Sequence, residues 1–256
     1  MAYIKEYWNK KESRAEAAKQ HTAEMDREYW AETNISADCT TIYSEDFFET
    51  HGPVIEVVDM DSVSAVFHYK PGAGQMAVLN FSSYKNPGGM FINGSSAQEE
   101  SLCHESNLYN VLVKFQEPFY DENKKEKNKA LYMNRALYSP NIMFKRGDDK
   151  VFCDVITCAA PNKSAAQQYC GVSDAENTKA LKERVYAVLS VAAHQRVDTL
   201  ILGGYGCGVF GQDPYEVANT FKAYLKYFRF SFKKVVFAIP DHKNGNLRAF
   251  QKVFGK

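Results

Sequence analysis

Two adjacent carboxylates, Glu99 and Glu100, stand where a predicted helix begins, directly after a loop of glycines and small residues. Paired carboxyl groups can perform acid–base chemistry, in which one group protonates a leaving oxygen and then activates a water molecule. Carboxylates at a helix N-terminus also have a structural use, because they offset the helix dipole by up to about 1 kcal/mol. For these two residues taken alone, the structural explanation is favoured.

Helix geometry separates the two carboxylates. Successive helix positions point roughly 100° apart, since a turn has about 3.6 residues. Glu99 and Glu100 therefore cannot face one ligand in the same way. The spacing predicts that one of them performs chemistry while the other holds a ligand hydroxyl or braces the loop.

A second loop, between Gly204 and Gly211, contains four glycines in eight residues. It matches the G-x-G-x-x-G fingerprint of dinucleotide-binding folds, but only 45 residues follow Gly211, too few for that two-halved sheet. Asp213, followed by Pro214, has the sequence context of a helix N-cap. Because glycine-rich backbone beside a helix N-terminus can turn several N–H groups toward one anion, a diphosphate site is favoured over a plain tight turn.

Three side chains near these loops could have either a functional or a structural role. Cys207 could be a nucleophile of low pKa, but no partner for it can be named, so a structural or backbone-binding role is favoured. His104 could be a base, although an ordinary, partly exposed histidine is favoured. Tyr205 either flanks a ligand or packs in the core.

Alternating strand and helix patterns position the two loops and predict an α/β domain with a mixed, largely parallel sheet between layers of helices. Predicted strands cover residues 53–59, 76–81, 136–145, 151–161, 199–204 and 234–240. Predicted helices cover Ser62–Tyr69, Gln98–Phe115, Asp174–His194 and Asp213–Phe228. The first fifty residues are charged and rich in alanine, without a strand pattern. We therefore expect a helical N-terminal extension over residues 1–50 and the main domain over 51–256.

Charge and composition exclude several classes of protein. Lys plus Arg and Asp plus Glu both number 31 in 256 residues, so the basic surface of a sequence-specific nucleic-acid binder is missing. No apolar run approaches the roughly 20 residues of a membrane span, and the charged start lacks a signal core. The six cysteines lack disulfide or zinc-ligand spacing, which predicts a cytoplasmic protein with reduced thiols and no metal. The lysine-rich segment 121–129 is predicted to be a solvated loop.

The two loops, in this order, resemble the motifs of one family. NPGGMFINGSSAQEESL (Asn86–Leu102) resembles the Gly-Gly-Gly, spacer, Gln-Glu-Glu signature of bacterial-type (microbial) poly(ADP-ribose) glycohydrolases. GGYGCGVFGQDP resembles their diphosphate loop, DVITCAAPN looks like their central strand, and SRAEAAKQHTAEM is similar to their helical N-terminal extension. Met90 stands at the third glycine of the signature. If that glycine lets the substrate ribose approach the backbone, Met90 narrows the pocket, slows turnover or changes the preferred substrate.

The resemblance implies a macrodomain-like three-layer sandwich with an ADP-ribose cleft at the strand ends, and neither metal nor cofactor. It implies hydrolysis of the ribose–ribose O-glycosidic bond in poly(ADP-ribose), free or on a macromolecule, with release of ADP-ribose. Glu100 would be the general acid/base, and Glu99 would hydrogen-bond ribose hydroxyls. The implied substrate-binding residues are Asn86, Gly88, Gly89, Gln98, Ala160, Pro161, Asn162, Gly206, Cys207, Gly208, Val209 and Phe210.

Three other functions fit parts of the sequence. A macrodomain that reads ADP-ribose without cleaving it would fit the loops, although it has no need of the Glu99–Glu100 pair. A mono-ADP-ribosyl hydrolase acting on protein or nucleobase would use the same pocket with another leaving group. A nicotinamide-dependent oxidoreductase would need to bind its intact cofactor tightly.

Overall fold

The computed structural model describes residues 11–43, 52–70, 72, 74–228, 230–242 and 244–255. Strands in this part of the chain form one seven-stranded sheet, in the spatial order β1-β4-β5-β3-β6-β7-β2. They are β1 (Thr41–Tyr43), β2 (Val54–Val58), β3 (Met76–Phe81), β4 (Ala136–Arg146), β5 (Asp149–Cys158), β6 (Thr199–Leu202) and β7 (Lys234–Ala238). Neighbours from β5 to β2 are parallel, and β4 and β1 are antiparallel at one edge. The predicted mixed, largely parallel sheet is confirmed.

Helices cover both faces of the sheet. In the described residues they are α1 (Lys11–Glu28), α2 (Trp30–Asp38), α3 (Ser62–Tyr69), α4 (Gln98–His104), α5 (Leu108–Leu112), α6 (Glu122–Lys125), α7 (Lys163–Cys170), α8 (Asp174–His194), α9 (Pro214–Tyr227) and α10 (Asn246–Phe254). One buried cluster joins the sheet to α8, α9 and α10, and another joins it to α3, α4 and α5. The predicted three-layer sandwich is confirmed. None of these helices is both long and apolar enough to cross a membrane.

The central strand β3 positions the site. Ala77 and Leu79 enter one hydrophobic cluster while Met76 and Val78 enter the other, so the strand is buried on both faces. This burial explains its continuous apolar run. The polar exception is Asn80, fully buried near the end of the strand. Because β3, β5, β6 and β7 are parallel, the loops that follow them meet at one edge of the sheet.

The N-terminal segment is helical in α1 and α2, as predicted, but it also contains a strand. β1 pairs with β4 through Thr41–Tyr43, so the expectation of no strand in the first fifty residues is wrong. A strand of three residues is too short to show an alternating pattern. The boundary at residues 50 and 51 lies outside the described residues and stays a prediction.

Residues 98–115, predicted as one helix, form shorter segments instead, so that prediction is wrong. α4 ends at His104, and the backbone then meets β4. The Asn107 N–H donates to the Met143 carbonyl at 3.2 Å, and Asn107 Oδ1 accepts from the Met143 N–H at 3.0 Å. Contact with a distant strand thus interrupts the local helical pattern. After α5 come a 3₁₀ turn (Val113–Phe115) and a π-helix (Gln116–Asp121).

The lysine-rich segment 121–129 is more ordered than predicted. It contains α6, and Asn123 within that helix is 1% exposed. The Asn123 side chain donates to the Tyr84 carbonyl at 2.9 Å, so the segment packs behind the loop that follows β3. The prediction of a solvated loop is therefore wrong, because one buried asparagine anchors a charged helix. α7 and α10 were not predicted, and several predicted strands end two to three residues too late.

We expect Gly94→Ala to loosen α1 from residues 86–97, called the signature loop below. A Cβ at Gly94 would overlap the Lys11 carbonyl oxygen, and its φ of +78° also disfavours a side chain. The expected loss is about 2–4 kcal/mol in the free energy of unfolding, measured by urea denaturation. Gly147→Ala is the matched control, since Gly147 also has a positive φ (+61°) but nothing within 4 Å of its Cβ position. Equal losses for the two variants would contradict the contact.

Candidate active site

The carboxylate pair is held in place by Gln98, the first residue of α4. The Gln98 amide donates to the Leu79 carbonyl at 2.8 Å and to Ser62 Oγ at 3.0 Å. Its Oε1 accepts from the Phe81 N–H at 2.8 Å. Gln98 therefore fastens α4 to the end of β3, and its side-chain amide is engaged by hydrogen bonds within the fold.

Glu99 is buried and accepts hydrogen bonds from Asn80 and from the backbone of Ser83 and Gly88. It is 3% exposed; its Oε1 accepts from Asn80 Nδ2 at 3.2 Å and its Oε2 from the Ser83 N–H at 2.6 Å. Burial raises the pKa of Glu99 from 4.5 to about 8, and the negative charge of Glu100 adds to this. The hydrogen bonds from Ser83 and Asn80 act in the opposite direction. Glu99 therefore holds a proton at neutral pH.

Glu100 is 6% exposed but less tightly held. Its Oε1 accepts from the Met90 N–H at 2.9 Å. Among the described residues, no other group donates a hydrogen bond to the Glu100 carboxylate. Of the two glutamates, Glu100 is therefore better placed to exchange a proton with a bound molecule, through its second carboxylate oxygen.

Gly89 brings the signature loop against both carboxylates. A Cβ at Gly89 would lie 2.6 Å from Glu100 Oε1 and 2.9 Å from Glu99 Oε2, and its φ is +62°. Only glycine combines this backbone angle with so close an approach. Met90, the next residue, has an ordinary φ of −113° and a side chain 46% exposed. The third signature position therefore does not need glycine for its backbone.

The main cavity has a volume of about 410 Å³ and lies between the signature loop and residues 203–213, called the glycine loop below. Phe81 after β3, Gly204 after β6 and Ala238 at the end of β7 line it. Its position at the carboxyl ends of parallel strands is where open α/β sheets bind ligands, and its volume suits a small molecule. Met90 does not line this cavity, so its side chain does not narrow it.

The structure brings together about half of the predicted binding residues. Those that line the main cavity are Gln98, Ala160, Gly206, Gly208, Val209 and Phe210. Asn86 and Gly89 line a separate cavity of about 350 Å³. Gly88 lies against the Tyr109 ring, and Asn162 caps α7 by accepting from the Ala165 N–H at 3.0 Å. Pro161 accepts through its carbonyl from Gln212 at 2.8 Å.

The ambiguous side chains near the loops have structural roles. Burial raises the pKa of the Cys207 thiol to about 12, which keeps it protonated and removes the nucleophile reading. Tyr205 is fully buried and donates to the Cys158 carbonyl at 3.1 Å, so it packs in the core. His104 is partly buried against Phe91, and burial lowers its pKa to about 4. The Asp213 side chain accepts from the Glu216 N–H at 2.8 Å, which confirms the predicted N-cap.

Sequence reasoning missed one wall of the cavity. It consists of the start of α3 and the segment after β7, and includes Asp61, Ser62, Pro240, His242, Asn244 and Asn246. These residues form no motif. Their one signal is position, since they adjoin the ends of β2 and β7, and parallel strands gather those ends at the same edge. In the described residues, no group of three or more His, Cys, Asp or Glu could hold a metal ion.

Residues 3–147, more than half of the chain, match the family described as microbial-type PARG, catalytic domain. The matched part contains the signature loop, Glu99 and Glu100. The chain belongs to this family. The resemblance of the signature motif to that of microbial-type PARGs is therefore confirmed. No curated protein sequence matches the chain.

Solved PARG structures share the fold. Poly(ADP-ribose) glycohydrolase from Deinococcus radiodurans in complex with ADP-ribose is 33% identical with a TM-score of 0.79, covering 87% of this chain and 97% of that one. The enzyme from Thermomonospora curvata bound to the inhibitor ADP-HPD is 30% identical with a TM-score of 0.83, covering 94% and 99%. A further structure of the Thermomonospora curvata enzyme is 27% identical with a TM-score of 0.84. Nearly all of each relative is therefore represented in this chain.

We expect Glu99→Gln to change how stability depends on pH. The folded-state pKa of Glu99, about 8, lies above its ordinary 4.5, so the folded protein keeps a proton that the unfolded chain loses. The free energy of unfolding contributed by this group is full below pH 4.5 and declines as the pH rises to about 8. Glutamine removes that decline, which denaturant unfolding between pH 4.5 and 9 measures.

The exposed Glu183 of α8 provides the control for this measurement. Glu183→Gln should keep the wild-type decline. Identical pH profiles for Glu99→Gln and wild type would contradict the raised pKa.

Proposed function

We propose that the protein hydrolyses the ribose–ribose O-glycosidic bond of poly(ADP-ribose) and releases ADP-ribose. The observation that carries the proposal is a pair of buried carboxylates between Gln98 and Ser101, two residues that line a cavity together with the glycine loop, in a chain of the microbial-type PARG family. The relatives solved with ADP-ribose and with ADP-HPD support the same ligand class. The terminal ADP-ribose unit of the substrate fills the main cavity.

The glycine loop holds the diphosphate in this proposal. Gly208 has nothing within 4 Å of its Cβ position, and Val209 is 90% exposed, so this rim is open to a ligand. The backbone N–H groups of such a loop can converge on phosphate oxygens. Phe210 is anchored behind the rim by the Tyr132 ring, with the centroids 6.2 Å apart. Because Asp213 is turned toward the Glu216 N–H, its charge is engaged away from the phosphates.

Glu100 performs the acid–base chemistry. The bond between C1 of the distal ribose and the oxygen of the neighbouring unit breaks, and Glu100 gives that oxygen a proton. Water then adds to C1, which has passed through an oxocarbenium-like state, and Glu100 accepts the proton that the water loses. The carboxylate suits this role because Met90 occupies one of its oxygens and leaves the other for substrate.

Glu99 holds the distal ribose. Since its pKa is about 8, it carries a proton at neutral pH and can donate a hydrogen bond to a ribose hydroxyl. Asn80 and Ser83 keep the Glu99 carboxyl group in one orientation. A ribose fixed in this way presents C1 to Glu100 and to the attacking water, which lowers the entropic part of the barrier.

The burial of the pair also argues against a module that only reads ADP-ribose. Removing carboxylates from water costs free energy unless they are hydrogen-bonded or neutralised. With exposures of 3% and 6%, Glu99 and Glu100 need the donors on Asn80, Ser83 and Met90 and the proton on Glu99 to offset that cost. A protein that only binds ADP-ribose has no use for such a pair of carboxylates, whereas a hydrolase needs one of them as its general acid.

The partner in this proposal is poly(ADP-ribose), free or attached to a macromolecule, in the cytoplasm. Sequence-specific recognition of nucleic acid forms no part of it, because 31 basic residues are balanced by 31 acidic ones. The scattered cysteines, without disulfide spacing, support a reducing compartment.

We expect Glu100→Gln to abolish turnover while leaving ligand binding nearly intact. Loss of a general acid typically costs about 10²–10⁴-fold in rate. Release of ADP-ribose from poly(ADP-ribosyl)ated protein gives the rate, and calorimetry gives the Kd for ADP-ribose, which should change less than about threefold because the diphosphate contacts remain.

The exposed Glu117 lies outside both cavities, so Glu117→Gln should keep wild-type activity. Full activity in Glu100→Gln would remove Glu100 from the mechanism. Binding of ADP-ribose without release by the wild type would point to a reader.

We also expect kcat/KM to fall as the pH rises above about 8. Ionised Glu99 can no longer donate a hydrogen bond to the ribose, and its pKa of about 8 sets the midpoint. A pH–rate profile from pH 6 to 10 measures this limb. Glu99→Gln, which donates through its amide at every pH, should lower the rate but lack the limb. A limb of the same midpoint in that variant would assign it to another group.

A further inference from the structure

A second cavity is lined by Gly89 and Met90, which both contact the Glu100 carboxylate. It has a volume of about 350 Å³ and is called the outer groove; its lining includes Asn86, Gly89, Met90, Ile92, Tyr109 and Gln116. It shares no lining residue with the main cavity. The enzyme therefore offers two separate concave surfaces near one pair of carboxylates.

Gly89 and Met90 connect the outer groove to the reacting group. The Glu100 carboxylate accepts from the Met90 N–H at 2.9 Å and lies 2.6 Å from the Cβ position of Gly89. An oxygen that receives its proton from Glu100 must approach that carboxylate to hydrogen-bond distance, about 3 Å. The group that carries this oxygen therefore begins next to Met90. With the terminal unit in the main cavity, the outer groove is a concave surface at Met90 into which the leaving group can extend.

The lining suits a purine nucleoside. In poly(ADP-ribose) the leaving oxygen is a ribose hydroxyl of the next unit's adenosine, so an adenine lies one sugar away. Met90, Ile92 and Tyr109 supply a thioether, an alkyl chain and a ring, which pack well on the face of a base. Asn86 and Gln116 supply amides, which match the hydrogen-bonding edge of adenine. The Gln116 amide is fixed by donating to Asp121 Oδ1 at 2.7 Å.

The groove continues toward α1. An adjoining depression of about 570 Å³ shares Met90, Ile92 and Asn93 with it and is lined by Lys11 and Lys19 of that helix. Glu12 also lines the depression, so its net lining charge is one positive unit. Two lysines beyond a base site are placed to meet the diphosphate that follows the adenosine in the polymer.

We propose that the outer groove binds the adenosine of the leaving ADP-ribose unit and that Met90 is a specificity-determining residue for polymer over smaller leaving groups. This inference rests on the proposed function. Under this proposal the Met90 side chain contacts substrate at the position where the family signature has glycine. The thioether packs on the leaving adenine, while the Met90 backbone N–H still serves Glu100.

The test compares ADP-ribose with its dimer, which contains one ribose–ribose bond. Glu100→Gln holds the dimer uncut, so calorimetry can measure both dissociation constants in that background. We expect the dimer to bind at least about tenfold tighter than ADP-ribose, a difference of about 1.4 kcal/mol. Adding Met90→Ala should remove most of this advantage and leave the affinity for ADP-ribose unchanged.

Met133→Ala in the same background is the matched control. Met133 is 41% exposed, close to the 46% of Met90, and lies outside both cavities. It should keep the full advantage of the dimer. Equal affinities for dimer and ADP-ribose would overturn the groove assignment, as would a Met90→Ala effect that is the same on both ligands.

Release of ADP-ribose from the polymer by the wild type tests the proposed glycohydrolase function separately from the assignment of the outer groove. Release with no dimer advantage overturns the outer groove alone. Absence of release overturns the proposed function, and the inference with it. With release established, Met90→Ala should lower kcat/KM for the polymer by about tenfold, and Met133→Ala should not.

Discussion

Burial of two neighbouring carboxylates at the end of the central strand is the constraint on which the rest of the site depends. Removing an ionised group from water is strongly unfavourable unless the group is hydrogen-bonded or neutralised. Asn80, Ser83 and Met90 supply donors, and the raised pKa of Glu99 supplies a proton. Gln98 fixes the start of α4 so that these bonds can form. The same burial makes Glu99 useful, because the proton that it keeps at neutral pH can be offered in a hydrogen bond to a ribose hydroxyl.

The surrounding elements each help to hold the two carboxylates in their buried positions. β3 must be buried on both faces to place Asn80 under Glu99, and the three-layer sandwich provides that burial. Gly89 lets the signature loop close over the carboxylates. α1 supports the loop from outside, since the Arg14 guanidinium donates to the Gly94 carbonyl at 2.7 Å. The N-terminal helix is thus part of the support of the site.

The sequence predicts the layers and the two loops well, because both depend on local patterns. The apolar run of β3 and the caps of α8 and α9 are local, and all three elements lie within one residue of prediction. Contacts between distant segments are not visible in this way. Asn107 breaks the predicted helix because it bonds to Met143, and Asn123 orders a charged segment because it bonds to Tyr84. The cavity wall formed by Asp61 and His242 depends on where strand ends meet. The separation of Met90 from the main cavity likewise requires the folded loop.

A titration of the carboxyl carbon of Glu99 by ¹³C NMR, with the signal assigned by its loss in Glu99→Gln, shows whether Glu99 holds a proton at neutral pH. We expect a midpoint near pH 8, because burial outweighs the hydrogen bonds from Ser83 and Asn80. A midpoint near the ordinary 4.5 would show that Glu99 is ionised at neutral pH. Glu99 could then not donate a hydrogen bond to the ribose. The role assigned to Glu99 as the residue that holds the ribose for Glu100 would be wrong.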